Sequence, residues 1–400
     1  VSRHFAFVVP AAHGHVTPTL PLVGELLRRG HRVSCATGED FVADVASTGA
    51  RTVALPAKPP PPLRTVEGRL SMDDFLKMAD HSNATARACF PVLMDHFESD
   101  RPDLVCFETR DLAGRMLVDR LGSAGAALVP TLASNESFSL QAGMVPSSFD
   151  PQHPDLVELG RKMEEFTRAH GVSTPTDPSA AGTPDLNLVF IPREFQVHGD
   201  LFDDRFRFIG PAVIDRDDTV PGRAGAEDRP LLFVSLGTVF NQNPDFFQSC
   251  VDAFRNTEWR VAVATGGSVG PEELEGVSDN FDIRPHFSQS EMLNRASAFL
   301  SHAGMNSIMD AVYYEVPLLA APQMPEQQIN ANRLEELGAG RRVRPDEFTA
   351  DGLYRAVSRV ATDGGIRENL AGMRAALDSC GGASEGADAL ERRVDAVGSR

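Results

Sequence analysis

Short apolar runs alternate with stretches of helical period along almost the whole chain, and this restricts the possible folds more than any other feature of the sequence. Residues 4–9 read as a strand, residues 17–29 set Leu20, Val23, Leu26 and Leu27 at helical spacing, Gly30 stops that helix, and 31–36 form a second strand. A helical connection of this length joins parallel strands. The pattern repeats at 104–107 with a helix over 112–121 and at 126–129. It then starts afresh with strands at 231–234, 260–264, 281–284, 298–300 and 318–321. Two α/β domains, each a doubly wound, Rossmann-like parallel sheet, are expected, with a cleft between them. A chain of 400 residues is also longer than one hydrophobic core serves. Residues 1–212 are assigned to the first domain and 213–229, rich in Gly, Pro and Asp, to a linker. Residues 230–382 are assigned to the second domain, and 383–400 to a helical tail that crosses back to the first.

Composition removes several classes of function. A net charge of -18 supplies no basic face for nucleic acid, so any nucleotide is expected to sit on local N–H groups and helix ends. No apolar run approaches the ~20 residues that a bilayer requires. The run Phe5-Ala-Phe-Val-Val9 is too short for a signal peptide and lacks a basic flank, so a cytoplasmic protein is expected. Five cysteines, Cys35, Cys89, Cys106, Cys250 and Cys380, are odd in number and widely spaced, which fits buried thiols in a reducing compartment. No His, Cys, Asp or Glu grouping has metal-ligand spacing, and no metal is expected.

The segment Ser301-His-Ala-Gly-Met-Asn-Ser-Ile-Met-Asp310 carries the sharpest functional signal. Strand 298–300, a tight His-Ala-Gly turn and a helix over 306–314 would set free backbone N–H groups and a positive helix end beside His302, Asn306 and Ser307. Asp310, one turn into the helix, could accept hydrogen bonds from ribose hydroxyls. The set suits a nucleoside diphosphate. Taken singly, His302 is more commonly a loop histidine, and Trp259, the only tryptophan, reads as core. No P-loop or complete G-x-G-x-x-G pattern is present.

Four motifs occur in order: Ala12-His-Gly-His15-Val-Thr-Pro18, Phe208-Ile-Gly-Pro211, Val234-Ser-Leu-Gly-Thr238, and the His302 segment followed by Pro322-Gln-Met-Pro-Glu-Gln327. With them the chain resembles, over essentially its whole length, the family 1 glycosyltransferases of the GT-B fold, in particular the bacterial macrolide and antibiotic transferases related to plant secondary-product transferases. The resemblance implies inverting, metal-independent transfer of a sugar from a nucleotide to an acceptor hydroxyl. The nucleotide sugar is then a co-substrate, with no further cofactor. It implies that the second domain holds the donor and the first the acceptor. His302, Gly304, Asn306 and Ser307 would meet the diphosphate, and Asp310, where the family usually has Glu, the ribose. Met305 replaces a common Trp and keeps only a backbone contact. Glu326 and Gln327 would bind sugar hydroxyls, while Ser235, Gly237 and Thr238 line the nucleotide side. The base-stacking position falls in Pro285-His-Phe-Ser-Gln289, with His286 for the usual Trp, Phe287 as an alternative stacker and Gln289 at its end.

The same resemblance makes His15 the general base, with His13 as competitor. Such a base must be neutral at rest and oriented through its other nitrogen. Glu108 matches the position of the orienting carboxylate. Asp111 is the alternative, and a carboxylate here could equally cap the following helix. Apolar residues of the variable segments, Leu63, Phe75, Phe138, Leu140 and Met144, suggest a partly hydrophobic small-molecule acceptor: a macrolide, an aromatic polyketide or a nucleoside antibiotic. UDP-glucose is favoured as donor because Glu326 and Gln327 suit sugar hydroxyls, and a TDP-sugar is the other candidate. A monomer or homodimer is expected. Two rival readings are a nucleotide-sugar isomerase on the same fold and a non-catalytic partner of a transferase. The His15 motif alongside a full donor segment counts against both.

Overall fold

A computed structural model describes residues 2–58, 60–61, 65–66, 69–173, 175, 182–211, 229–238 and 241–398. Most of the expected linker lies outside these residues, as does Leu63. The chain divides into two compact units, one of residues 1–64, 70–214 and 380–400, the other of 65–69 and 215–379.

The first unit is built on a seven-stranded sheet. Its strands are β1 (His4–Val8), β2 (Arg32–Gly38), β3 (Arg51–Leu55), β6 (Leu104–Glu108), β7 (Ala124–Val129), β8 (Asn187–Val189) and β9 (Phe206–Phe208), in the order β3-β2-β1-β6-β7-β8-β9. Two short strands, β4 (Thr65–Val66) and β5 (Arg69–Leu70), form a separate ribbon. The second unit carries β10 (Leu231–Ser235), β11 (Arg260–Ala264), β12 (Phe281–Arg284), β13 (Ala298–Ser301), β14 (Leu318–Ala320) and β15 (Gly340–Arg342), in the order β12-β11-β10-β13-β14-β15. Each pairing in both large sheets is parallel. In each sheet the order reverses direction beside a central strand, β1 or β10, so two doubly wound sheets are present as the alternation predicted.

A parallel sheet is covered on both faces, and the period of two along its strands divides the core accordingly. Phe5, Phe7, Cys35, Leu104 and Cys106 meet Leu22, Val23 and Leu26 of the helix Leu20–Arg28 and Ala387, Leu390 and Val394 of the C-terminal helix Gly382–Gly398. Ala6, Val8, Ala36 and Val105 face the other way. They meet Phe90, Leu93 and Phe97 of the helix Met72–Phe97 and Met116, Leu117 and Leu121 of the helix Leu112–Leu121. The cysteines are all free thiols. Among the described residues no helix is long and apolar enough to cross a membrane.

Charge fastens the C-terminal helix to the first unit. Arg29 bonds to Glu25 at 2.8 Å, Asp388 at 2.5 Å and Glu391 at 3.1 Å, and reaches the Ser384 carbonyl at 3.0 Å. His31 Nδ1 accepts the Arg3 N–H at 3.2 Å, which leaves Nε2 to donate to Glu391 at 2.8 Å. Contact with Arg28 and Arg29 holds Glu25 down at about 2. Burial pushes Glu391 up, but the bonds from His31 and Arg29 outweigh it and leave that carboxyl below its ordinary value.

Arg29→Met is expected to lower stability by about 1–3 kcal/mol at pH 7, the scale of lost charge-assisted bonds. Because the folded carboxyls titrate lower than the unfolded ones, this contribution is complete above the unfolded value of about 4.3 and fades as pH falls toward 2. Denaturant melts of both proteins between pH 7 and pH 2 should show the gap closing over that window. A gap independent of pH would show that the carboxylates contribute nothing.

Candidate functional site

In the second unit, β13 delivers a fully buried strand to the turn 302–304, and the helix Met305–Tyr313 starts at once. Gly304 is its N-cap and no side chain caps it, so the first-turn N–H groups remain open to an anion. Ala303 reverses the chain with a φ of 63°, a left-handed conformation that costs a residue with a Cβ about 1–2 kcal/mol. Buried and accessible positions alternate as a helix requires. Ala303, Met305, Ser307, Ile308 and Met309 point inward, whereas His302, Gly304, Asn306 and Asp310 keep partial access. Asn306 and Asp310, four apart, share one face. The Met305 and Ser307 side chains are thus packed away.

The His302 ring is lodged between two glycines. A Cβ on Gly237 would lie 2.7 Å from its Nε2, and one on Gly304 2.5 Å, so neither position admits a side chain without moving the ring. Burial pushes the imidazole down to about 4, partly offset by the Ser235 carbonyl and the charge of Glu326. His302 is therefore neutral at physiological pH and offers a polar N–H rather than a cation. Asn330 Nδ2 of the helix Pro325–Glu336 donates to the Ala303 carbonyl at 3.3 Å, so this helix adjoins the 302 turn.

Other predicted residues fall around this core. Gln289 Nε2 donates to Asp310 Oδ2 at 2.5 Å, uniting two residues that the sequence places apart. Gln327 turns its amide oxygen back to the Gln323 and Met324 N–H groups at 2.7 and 3.0 Å, which leaves only its NH₂ for a ligand. Ser235 is buried at the end of β10, and its hydroxyl accepts the Gly237 N–H at 3.2 Å, while Thr238 is exposed. His286 is exposed. Phe287 is tucked against Phe233, ring centres 6.2 Å apart, with the Arg284 guanidinium 4.9 Å from its ring centre. Trp259 is core.

In the first unit β1 runs into a helical turn, His13–Val16, earlier than the period suggested. His15 is half-buried there, whereas His13 is exposed and meets Phe41 edge-on at 4.9 Å. β6 lies beside β1 in register Val8↔Phe107, so the chains leading to His15 and from Glu108 emerge at the same edge of the sheet. Alternation puts Glu108 on the face of Leu104 and Cys106, the face that Val16 and the helix Leu20–Arg28 cover. Its carboxylate is buried and accepts bonds from Thr109 Oγ1 at 3.0 Å and the Arg110 N–H at 3.1 Å. Asp111 instead caps the helix Leu112–Leu121, accepting the Gly114 N–H at 2.9 Å, and this helix covers the opposite face. Burial pushes Asp111 up to about 6, with Gly114 opposing and Glu108 adding to the rise.

Of the apolar residues expected beside an acceptor, Phe75, Phe138 and Met144 are partly exposed, but Leu140 is buried and belongs to the core. Phe149, 36% exposed and edge-on to Phe75 at 5.3 Å, joins them; no periodic signal in the sequence singles it out. Among the described residues no group of three or more His, Cys, Asp or Glu side chains is placed to share a metal ion.

Comparison with known proteins adds an independent line. Residues 263–391 match the erythromycin biosynthesis protein CIII-like C-terminal domain family. The chain is 34% identical over 399 residues to the NDP-glycosyltransferase YjiC of Bacillus licheniformis, covering 97% of each protein. It is 33% identical to the demethyllactenocin mycarosyltransferase of Streptomyces fradiae, covering 97% of this chain and 86% of that protein. The solved structure of the calicheamicin glycosyltransferase CalG4 superposes with a TM-score of 0.82 at 30% identity, covering 99% of both chains.

The Gln289–Asp310 pair makes a direct prediction. Burial pushes the Asp310 carboxyl up to about 6 and the Gln289 amide draws it down, so Gln289→Leu should move its titration midpoint higher still. Carboxyl-carbon NMR of wild type and variant reads both midpoints, and an unchanged or lower value in the variant would refute the coupling.

Proposed function

Since the chain belongs to the family 1, GT-B glycosyltransferases of the macrolide and antibiotic type, which draw on a nucleotide-sugar donor, we propose that it transfers a hexose with inversion to a hydroxyl of a small, partly hydrophobic acceptor, giving a β-O-glycoside. The observation that carries this reading is the uncapped helix N-terminus after β13, with neutral His302 lodged beside it and Asp310 one turn further on. Fixed N–H dipoles there meet the negative charge that grows on a departing diphosphate, and they need no reorganisation to do so. They supply the stabilisation that a divalent metal would otherwise provide, so the transfer is read as metal-independent.

In this proposal the second unit holds the donor. Backbone N–H groups of Gly304, Met305, Asn306 and Ser307, with the His302 ring and the Asn306 amide, bind the diphosphate. Asp310 accepts from the ribose, His286 stacks on the base, and Ser235, Gly237 and Thr238 border the nucleotide. Glu326 and the NH₂ of Gln327 bind sugar hydroxyls. UDP-glucose is the donor of choice, with a TDP-sugar as the alternative. The first unit holds the acceptor, with Phe75, Phe138, Met144 and Phe149 toward its apolar part. His15 takes the acceptor proton as the new bond forms at the sugar's anomeric carbon and the bond to the diphosphate oxygen breaks. Glu108 orients His15: it lies on the face that the His15 segment covers, whereas Asp111 is committed to its cap. The enzyme is read as cytoplasmic, a monomer or homodimer.

The reading is tested by mass spectrometry of the purified protein with UDP-glucose or TDP-glucose and a panel of macrolides, flavonoids and nucleosides, with EDTA present. A product heavier by one hexose supports it. Dependence on added divalent metal would overturn the metal-independent step, and absence of any product with either donor would count against the activity.

His15→Ala should abolish turnover and leave nucleotide affinity almost unchanged, so turnover retained within ten-fold would remove His15 as base. Asn306→Ala combined with Asp310→Ala should weaken nucleotide binding by several kcal/mol, at about 1.5–3 kcal/mol for each charge-assisted bond lost. Calorimetry with UDP and TDP checks this, and equal affinity in the double variant would move the donor elsewhere.

A further inference from the structure

Two adjacent strands of the second unit end in the same construction. β10 ends in Ser235 and β13 in Ser301, and these serines are register partners. Each hydroxyl accepts the backbone N–H two residues on, Gly237 at 3.2 Å and Ala303 at 3.3 Å. Both of those residues are left-handed, with φ of 81° and 63°. Each then has its carbonyl bound by the side-chain NH₂ of a buried asparagine. Asn241, 4% exposed, donates to Gly237 at 2.9 Å, and Asn330, 0% exposed, donates to Ala303 at 3.3 Å. Since both partners are carbonyl oxygens, the amides must present nitrogen to them.

The asparagines come from different directions. Asn330 lies on the helix Pro325–Glu336, one turn past Glu326. Its Oδ1 finds no partner among the described residues, so the bond to Ala303 is the only one that amide makes there. Asn241 binds the β11 loop as well. Its backbone carbonyl accepts from Ser268 Oγ at 2.9 Å, and its side-chain Nδ2 occupies the space a Cβ on Gly266 would need, at 1.8 Å. Burying an amide for a single hydrogen bond is costly, and cavities of the same shape are commonly filled by apolar residues. The His302 ring is confined by braced Gly237 on one side and, on the other, by Gly304, the residue after braced Ala303.

We propose that Asn241 and Asn330 are positioning residues for the donor: a matched pair of buried amides that holds the two left-handed turns, and with them His302 and the helix N-terminus, in the geometry that receives a diphosphate before it arrives. They touch neither donor nor acceptor. Their role is preorganisation, and its loss appears as weaker donor binding because the free protein must then pay to order the loops. The inference rests on the donor-site reading given above.

The test is calorimetric binding of UDP and of TDP, together with steady-state kinetics, for wild type, Asn241→Ala, Asn330→Ala and the corresponding Asp variants, which keep the shape and lose the N–H. Each single variant should raise the nucleotide Kd and the donor KM about ten-fold, the fold-change one lost hydrogen bond of ordinary strength produces. The acceptor KM, and kcat at saturating donor, should stay within about three-fold of wild type on the same scale. Wild-type nucleotide affinity in the variants, or an equal rise in both KM values, would overturn the inference. Failure of wild type to bind either nucleotide would instead overturn the donor-site reading itself. For a variant that does not fold, hydrogen exchange on the nucleotide-free wild type decides. Slow exchange at Gly237, His302 and Ala303, comparable to the strands, is expected, and exchange as fast as an exposed loop would show that no preorganised turn exists.

Discussion

Parallel strands all point one way, and that constraint fixes where this protein can carry chemistry. Every strand of a unit ends at the same edge, each connecting helix begins there, and neither sheet face is free because both are packed with helices. Polar side chains that are to meet a ligand must therefore hang on the turns between strand ends and helix starts. His15 follows β1, Glu108 ends β6, Ser235 ends β10, and His302 follows β13. The predicted site residues cluster not because the sequence groups them but because the topology has one rim per unit on which to place them.

Packing sets the protonation states on that rim. Desolvation drives His302 toward neutrality and Asp310 and Asp111 toward protonation, in each case against weaker opposition from hydrogen bonds. The three outcomes differ in use. A neutral imidazole between two glycines is a fixed dipole. A carboxyl poised near 6 is mostly ionised at pH 7 yet sensitive to its Gln289 partner. Asp111 spends its acceptor capacity on a helix cap, which is why proximity in sequence to Glu108 does not make the two interchangeable.

Legibility in the sequence followed the range of the interaction that decides each feature. The βαβ units and the strand–turn–helix at 301–310 are local, carried by apolar runs and helical period, and apart from the early turn at His13–Val16 they stand where the pattern put them. Edge strands were harder to read. β15 is Gly340-Arg-Arg342, whose arginines are neutralised by Glu347 and Glu335 after folding, so nothing apolar marks it beforehand. The choice between Glu108 and Asp111 depends on β6 running one residue further than its apolar run. That extra residue sets which face Glu108 takes. Which ring of His286 and Phe287 stays accessible is decided by Phe233, more than fifty residues earlier in the chain, and Leu140 turns inward for the same kind of reason. No local pattern could announce Asn241 or Asn330, whose meaning lies entirely in two distant carbonyls.

The strong acidity of the chain bears on how an anion can be received at all. With a formal charge of -18, a diphosphate entering the proposed donor site would approach a molecule whose average field repels it, and a field of lysines is not what would overcome that. A helix end acts only within its first turn, so its usefulness depends on the N–H groups being aimed and uncapped when the ligand comes. At Gly304 the cap position has no side chain to compete for those donors, and the cost of the left-handed residue before it is met by a serine hydroxyl and an asparagine amide. In the proposed donor site short-range geometry thus substitutes for long-range charge. A site of that kind gains specificity for the shape of the anion, because a donor displaced by an ångström loses a hydrogen bond, whereas a lysine field would scarcely register the difference.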